Sequence, residues 1–276
     1  CEVVFTSQLL FGKLKGRYIN DFTILSGKYT HTELKGKDLI KSYSPLKIKK
    51  IDSKGKFMWF ELVGKNNTNI YMLSTFGLTG GWSFDCDIDE ENCRLKFDIN
   101  NGDKNNKKYS LYYMDDRNFG NFSITDKKSE LNDKLNKLGP DLLKVEFTEA
   151  EFGERINKVK GDRKIVEILM DQTTKGIGSG IGNYLAPEIL YHAKISPHRK
   201  VSSLSTKDKN QLCKSIKYMI KLCYVNNEVG YMEQFSKYVK KHKDGIESGK
   251  YPNYHPDVKI DNREFNVLDL SKFSEK

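Results

Sequence analysis

The chain is short of the features that define several large classes of protein. Of its 276 residues, five are cysteine, and none of Cys1, Cys86, Cys93, Cys213 and Cys223 belongs to a Cys-x-x-Cys pair. A structural zinc ribbon or finger draws about four ligands from closely spaced pairs, so no cysteine-built metal site is expected, and nothing else implies a cofactor. A disulfide framework is not expected in a chain of this size, which points to an intracellular, reducing compartment. No stretch approaches the roughly 20 apolar residues that span a bilayer, so no membrane partner is expected. The apolar start, Val3-Val4-Phe5 to Leu9-Leu10-Phe11, is broken by Thr6, Ser7 and Gln8 and has no basic flank before it. It reads as an amphipathic helix over Glu2–Phe11 rather than as a signal peptide.

What is present is positive charge. The formal net charge is +10, with 47 Lys and Arg against 37 Asp and Glu. A mean hydropathy of −0.64 with 37% apolar residues is enough for a folded core. The charge fits a polyanionic partner, since each Lys or Arg near a phosphate releases a condensed counterion. It equally fits a lysine-rich soluble surface, and charge alone does not separate the two.

The first half reads as β-rich. Leu46–Ile51 alternates apolar and basic residues, Lys56–Leu62 is a dense strand-like run, and Ile70–Thr75, Arg94–Phe97 and Tyr109–Met114 follow between polar turns. From Leu138-Gly139-Pro140 the pattern becomes helical: Glu149–Ile156, Arg163–Gln172, about Asn183–His192, and a helix capped by Ser205 whose positions Leu212, Ile216, Ile220 and Cys223 recur at helical spacing. The expected fold is α+β. A β-sandwich with a flanking helix (residues 1–145) precedes a helical domain (residues 146–276) that ends in a basic, turn-rich tail.

Between two of the helices lies Asp171-Gln172-Thr173-Thr174-Lys175-Gly176-Ile177-Gly178-Ser179-Gly180-Ile181-Gly182-Asn183-Tyr184, with four glycines at alternate positions. Glycine lets backbone approach a ligand, and amides at a helix start suit a phosphate. A plain helix–helix connection would also use such a segment. Gly-Ile-Gly-Asn-Tyr followed by Glu188-Ile189-Leu190, Ala193, Ile195 and Pro197 resembles the helix–two-turn–helix signature of the formamidopyrimidine-DNA glycosylase/endonuclease VIII (Fpg/Nei) family. Further blocks are similar to that family in the same order. Asp52 to Leu62 matches the strand with the family's catalytic lysine, here Lys56. Thr75-Phe76-Gly77-Leu78-Thr79-Gly80 and Asp115-Asp116-Arg117-Asn118-Phe119-Gly120 match two base-gap loops, and Leu138-Gly139-Pro140-Asp141 matches the exit from the first domain.

The resemblance implies a helix–two-turn–helix domain and a repair glycosylase with AP lyase activity that flips oxidised bases, pyrimidines above all, out of double-stranded DNA. Leu78, Arg117 and Phe119 would fill the void left in the stack. Asn183, with Lys175, Gly178, Gly180, Gly182 and Arg117, would contact DNA. The family's N-terminal Pro amine attacks the sugar C1′, the next Glu moves protons, and Lys56 would support them. A monomer acting on duplex DNA with oxidised bases or abasic sites is implied. The sequence departs from the pattern in three places. Cys1-Glu2-Val3 aligns with the family's second Pro-Glu-Val, Pro187 falls inside the helix after Asn183, and Arg263–Leu268 offers one strand of an incomplete, zinc-less C-terminal hairpin. The start is read as a truncated enzyme, as a pseudoenzyme that binds damaged DNA, or as one whose own Cys1 amine and Glu2 serve. An RNA-binding role is the remote alternative.

Overall fold

The computed structural model describes residues 1–76, 80–84, 92–100, 108–159 and 161–230. They form two compact units, the first over Thr6–Asn136 and the second over Lys137 onward together with Cys1–Phe5. The opening helix α1 (Glu2–Leu14) therefore contributes residues to both units.

The first unit is built on one antiparallel sheet of eight strands: β1 (Tyr18–Ile24), β2 (Leu46–Lys54), β3 (Phe57–Val63), β4 (Asn69–Thr75), β5 (Gly80–Ser83), β6 (Cys93–Asn100), β7 (Lys108–Asp115) and β8 (Asn121–Thr125). Their order is β5-β7-β6-β1-β2-β3-β4-β8. The seam between β1 and β2 is narrow, with only Tyr18↔Lys47 and Ile19↔Leu46 in register. Across it the two halves share an aromatic core. Trp82 on the β5 edge lies 5.0 Å from Phe60 of β3 and 6.0 Å from Phe122 of β8, and Tyr113 of β7 lies 5.5 Å from Phe122. A sheet whose opposite edges share a core is folded over on itself, in keeping with the expected sandwich.

The alternation in β2 shows how the sequence selects this arrangement. Leu46 and Ile48 face inward, a register shift falls between Ile48 and Lys50, and Ile51 and Ser53 then resume the inward face. The bulge corrects the mismatch of two adjacent lysines, which would otherwise turn Ile51 to solvent. Two short helices, α2 (Lys37–Tyr43) and α3 (Lys128–Lys137), and the strands β1, β5 and β8 were not among the sequence expectations.

The second unit holds α4 (Glu149–Asn157), α5 (Ile165–Met170), α6 (Leu185–Ala193) and α7 (Thr206–Gly230). Thr148 and Glu151 close a reciprocal cap at the start of α4. Ser205 does the same for α7, its hydroxyl accepting from the Asp208 amide at 3.2 Å while its own amide donates to the Asp208 carboxylate at 2.9 Å. Leu212, Ile216, Ile220 and Cys223 are all buried along one side of α7, as their spacing predicts. The capping residue of α6 is Tyr184, so Pro187 is the third helical residue and lies among the N–H positions that have no helical acceptor.

Cys93 is disulfide-bonded, while Cys1, Cys213 and Cys223 are free and buried. One such bond is less than a framework, but it was not expected from the sequence. No described helix is long and apolar enough to cross a membrane. The C-terminal hairpin and Leu78 lie outside the described residues.

Candidate nucleic-acid interface

In the first unit the sheet register gathers the sequence-selected loops at one end. Phe57 pairs with Thr75, and Thr75 pairs with Asn121. Lys56 immediately precedes Phe57, Phe76 immediately follows Thr75, and the Asp115–Gly120 loop immediately precedes Asn121. Because neighbouring strands are about 4.8 Å apart, the three connections emerge side by side. Lys56 does not open the strand, as the sequence reading placed it. It is the exposed second residue of a two-residue hairpin turn, whose first residue, Gly55, has φ 59°. Glycine in that place permits the tight turn that the right-handed twist of a hairpin favours.

In the Asp115–Gly120 loop the exposed residues are Asp116, Arg117 and Phe119. Phe119 is 66% exposed and Arg117 is exposed, whereas Asp115 and Gly120 are buried. The Gly120 amide donates to the Asp115 carboxylate at 2.7 Å, and the Tyr113 hydroxyl donates to the Thr75 carbonyl at 3.1 Å. Burial first, and then the nearby Asp115 charge, push the Tyr113 phenol above its ordinary value, so it stays a neutral donor. Phe119 is, with Tyr191, one of the two most exposed large hydrophobic side chains among the described residues.

In the second unit the glycine-rich segment is packed from below. Gln172 clasps it, donating to the Ile181 carbonyl at 2.7 Å and accepting from the Gly180 amide at 2.8 Å. The Leu138–Asp141 segment pairs along its other side through Leu138↔Thr173 and Asp141↔Ser179. Gly178 is buried, and a Cβ there would lie 2.6 Å from the Leu142 side chain and 2.8 Å from the Pro140 carbonyl. Gly182 is also buried and Gly180, with φ 119°, is half-buried, so packing and backbone conformation already account for Gly178 and Gly180. The exposed side chains of the segment are Thr173, Thr174, Lys175, Asn183 and Tyr184. Tyr184, 38% exposed, turns its hydroxyl to within 3.2 Å of the Cys223 sulfur. Burial and the neighbouring Cys223 and Glu2 hold that phenol well above its ordinary range. Gln172 and Tyr184 were read in the sequence only as members of the motif. Their roles depend on partners that the spacing does not reveal.

Among the described residues no group of His, Cys, Asp and Glu could hold a metal ion. In the second unit the Cys1 amine lies 3.6 Å from the Glu2 carboxylate, and His192 Nδ1 lies 2.9 Å from the hydroxyl of Ser215, which is buried. Lys56, Lys175, Arg117 and the Phe119 ring are exposed.

The comparisons with known proteins agree with this geometry. Residues 1–122 match the model of the formamidopyrimidine-DNA glycosylase N-terminal domain, and residues 138–231 match that of the formamidopyrimidine-DNA glycosylase H2TH domain. A formamidopyrimidine-DNA glycosylase of Listeria innocua is 32% identical over 62% of this chain and 58% of its own length. One of Mycoplasma genitalium is 30% identical over 60% of this chain and 54% of its own. The chain thus spans less than two thirds of these curated relatives. The crystal structure of the MutM (Fpg) protein from Thermus thermophilus superposes with a TM-score of 0.64 at 22% identity, covering 83% of this chain and 76% of that one. Lactococcus lactis Fpg bound to DNA containing FAPY-dG gives 0.66 at 23% identity, over 83% and 80%. Two adjoining domain models of one family, in order, define a two-domain protein of the DNA-glycosylase type. The chain belongs to the Fpg/Nei family.

Proposed function

We propose that the protein excises oxidised bases from double-stranded DNA and cleaves the resulting abasic site, acting as a monomer. The observation that carries this reading is the shared register of Phe57, Thr75 and Asn121, which sets Lys56 and the exposed Phe119 on neighbouring connections of one sheet. An enzyme that extrudes a base needs a wedge for the vacated stack near a group that assists the proton transfers, and Phe119 and Lys56 are proposed for these two roles. Leu78 belongs to the same reading through its loop, and Arg117 through its place beside Phe119. Asn183 and Lys175 are proposed as phosphate contacts of the second unit, with Gly178, Gly180 and Gly182 shaping the turn that presents them.

Chemically, an N-terminal amine attacks C1′ of the flipped nucleotide as the damaged base departs. The resulting Schiff base acidifies the neighbouring sugar proton, and elimination breaks the strand. Lys56 assists the proton transfers. The leaning towards oxidised pyrimidines rests on likeness to the zinc-less branch. The relatives' names and the FAPY-dG bound by the Lactococcus protein point instead to ring-opened purines. Comparing thymine glycol and FAPY-dG duplexes would decide between them.

Borohydride trapping on abasic-site duplex tests the chemistry, since reduction of the imine fixes a covalent adduct detectable by mass. It is run on the chain beginning at Cys1 and on one preceded by Met-Pro-Glu-Gly. An adduct in either, lowered by about two orders of magnitude in Lys56→Ala with DNA affinity kept, supports the enzyme. No adduct in either, with a clear preference for abasic over intact duplex, supports a non-catalytic binder of damaged DNA. The absence of any such preference would overturn both.

A further inference from the structure

Arg94 is placed in the interior of the first unit by a fault in the sheet. In the β6–β7 ladder Cys93 pairs with Met114 and Leu95 with Tyr113, so Arg94 is the extra residue of a β-bulge. A bulge re-aims the side chain it carries. The Arg94 side chain is only 7% exposed, and its guanidinium runs to the start of the Asp115–Gly120 loop. It donates to the Asp115 carbonyl at 2.8 Å, the Asp116 carbonyl at 3.0 Å, the Ser26 hydroxyl at 2.7 Å and the Asn92 side chain at 3.4 Å. The planar fork of arginine can meet two successive carbonyls at once, which the single ammonium of lysine does poorly.

The rest of the loop is fixed residue by residue around this anchor. Gly27 lies so close that a Cβ there would meet the Asn118 side chain and sit 2.6 Å from Arg94 Cδ. Asn118 holds a left-handed conformation, φ 56°, and its side chain accepts from the Lys28 amide at 3.3 Å. The Lys28 ammonium donates to the Gly120 carbonyl and, at 3.1 Å, to Asn121. Asp115, Asn118 and Gly120 are therefore tied down, as is Asp116 through its carbonyl, while Arg117 and Phe119 are exposed.

We propose that Arg94 is a positioning residue: it fixes the loop that presents Arg117 and Phe119 as the wedge for a vacated base stack. This rests on the function proposed above. It predicts a dependence that a general structural role does not produce, because a wedge matters only where there is an opposite strand and a stack to enter. The test measures affinity of the full chain, by fluorescence anisotropy, for a tetrahydrofuran abasic-site duplex and for the same strand alone. Arg94→Lys is expected to weaken duplex binding by about tenfold, the scale of a lost charged hydrogen bond, and to change single-strand binding by less than about twofold. Phe119→Ala should behave alike, and the double variant should lose little more than either single one. Equal losses on duplex and single strand, or additive losses in the double variant, would overturn the proposal. If Arg94→Lys does not fold, Ser26→Ala removes one of the Arg94 contacts and should give the same duplex-only pattern at about threefold; no duplex-specific loss there sinks the idea equally. If the wild-type chain shows no preference for abasic over intact duplex, the proposed function fails rather than the role of Arg94.

Discussion

The two loops that carry the candidate DNA contacts are held by opposite means. The Asp115–Gly120 loop of the sheet unit is fixed by side chains from elsewhere, Arg94, Lys28 and Tyr113 among the neighbours that bond to its backbone or to the strands beside it. The segment from Asp171 to Tyr184 in the helical unit is fixed mainly by backbone, with Leu138–Asp141 laddered against it and glycine where the two come closest. A loop held by distant side chains can change its exposed residues freely but is sensitive to its anchors. A loop held by close backbone packing is sensitive to any added Cβ, whatever its chemistry.

The largest effect that would sharpen this contrast is expected from Gly176→Ala. A methyl at Gly176 would collide with the Asp171 carbonyl, and its Cβ would lie 2.9 Å from Asp171 Cβ, so backbone must move. A loss of about 3 kcal/mol in urea unfolding is expected, as for overpacked sites. Alanine at Arg117, exposed in the other loop, should change stability by less than about 0.5 kcal/mol. Similar losses at the two positions would break the comparison.

A smaller effect separates positioning from contact within the helical unit. Asn183 is exposed at the turn leading into α6 and the structure needs it for no described packing. Asn183→Ala should therefore leave unfolding almost unchanged while weakening binding to duplexes of every sequence. The drop should be of the order of 1–2 kcal/mol, a typical cost for a lost hydrogen bond to a charged group. Because an uncharged amide releases no counterion, the slope of affinity against salt should stay as it is, whereas Lys175→Ala should lower it by about 1. Unchanged binding in both variants would remove this turn from the phosphate site.

What the sequence disclosed and what it hid follow the same division. The alternation of Leu46, Ile48, Ile51 and Ser53 announces β2 because each residue reports its own burial. The spacing of Leu212, Ile216, Ile220 and Cys223 announces α7 for the same reason. β5 has four half-buried residues and no apolar alternation, so its place was invisible without β7 beside it. Arg94 read as a charged residue at a strand start, since its acceptors at Asp115 and Asp116 lie 21 and 22 residues away. Gly178 read as one of four equivalent glycines, and only Leu142 and Pro140 show that it is needed for packing. The family motifs revealed which side chains stand outside; the devices that hold them there are long-range and had to be seen.

The smallest expected effect concerns acid. Asp171 opens the glycine-rich segment, accepting from the Thr173 hydroxyl at 2.7 Å, the Thr173 amide at 3.0 Å and Arg163 at 3.0 Å. Partial burial works against its charge, but the Thr173 hydrogen bonds and the Arg163 guanidinium outweigh it and hold the carboxyl below its ordinary value. A carboxyl whose folded value is depressed contributes stability that is present above the ordinary value, near 3.8, and is lost as pH falls through the depressed one. Acidification below about pH 4 should therefore loosen the Asp171–Tyr184 segment first. The bonds from Arg94 to the Asp115 and Asp116 carbonyls involve no carboxylate and should persist. Amide exchange corrected for intrinsic rates would show this as lost protection at Gly176, whose amide donates to the Thr173 carbonyl at 3.0 Å. Asp171→Asn should show the loosened segment already at neutral pH, with little further change on acidification. If both loops lose protection together in the wild type and the variant alike, the acid effect is global, and the difference in how the two loops are held does not extend to their response to protons.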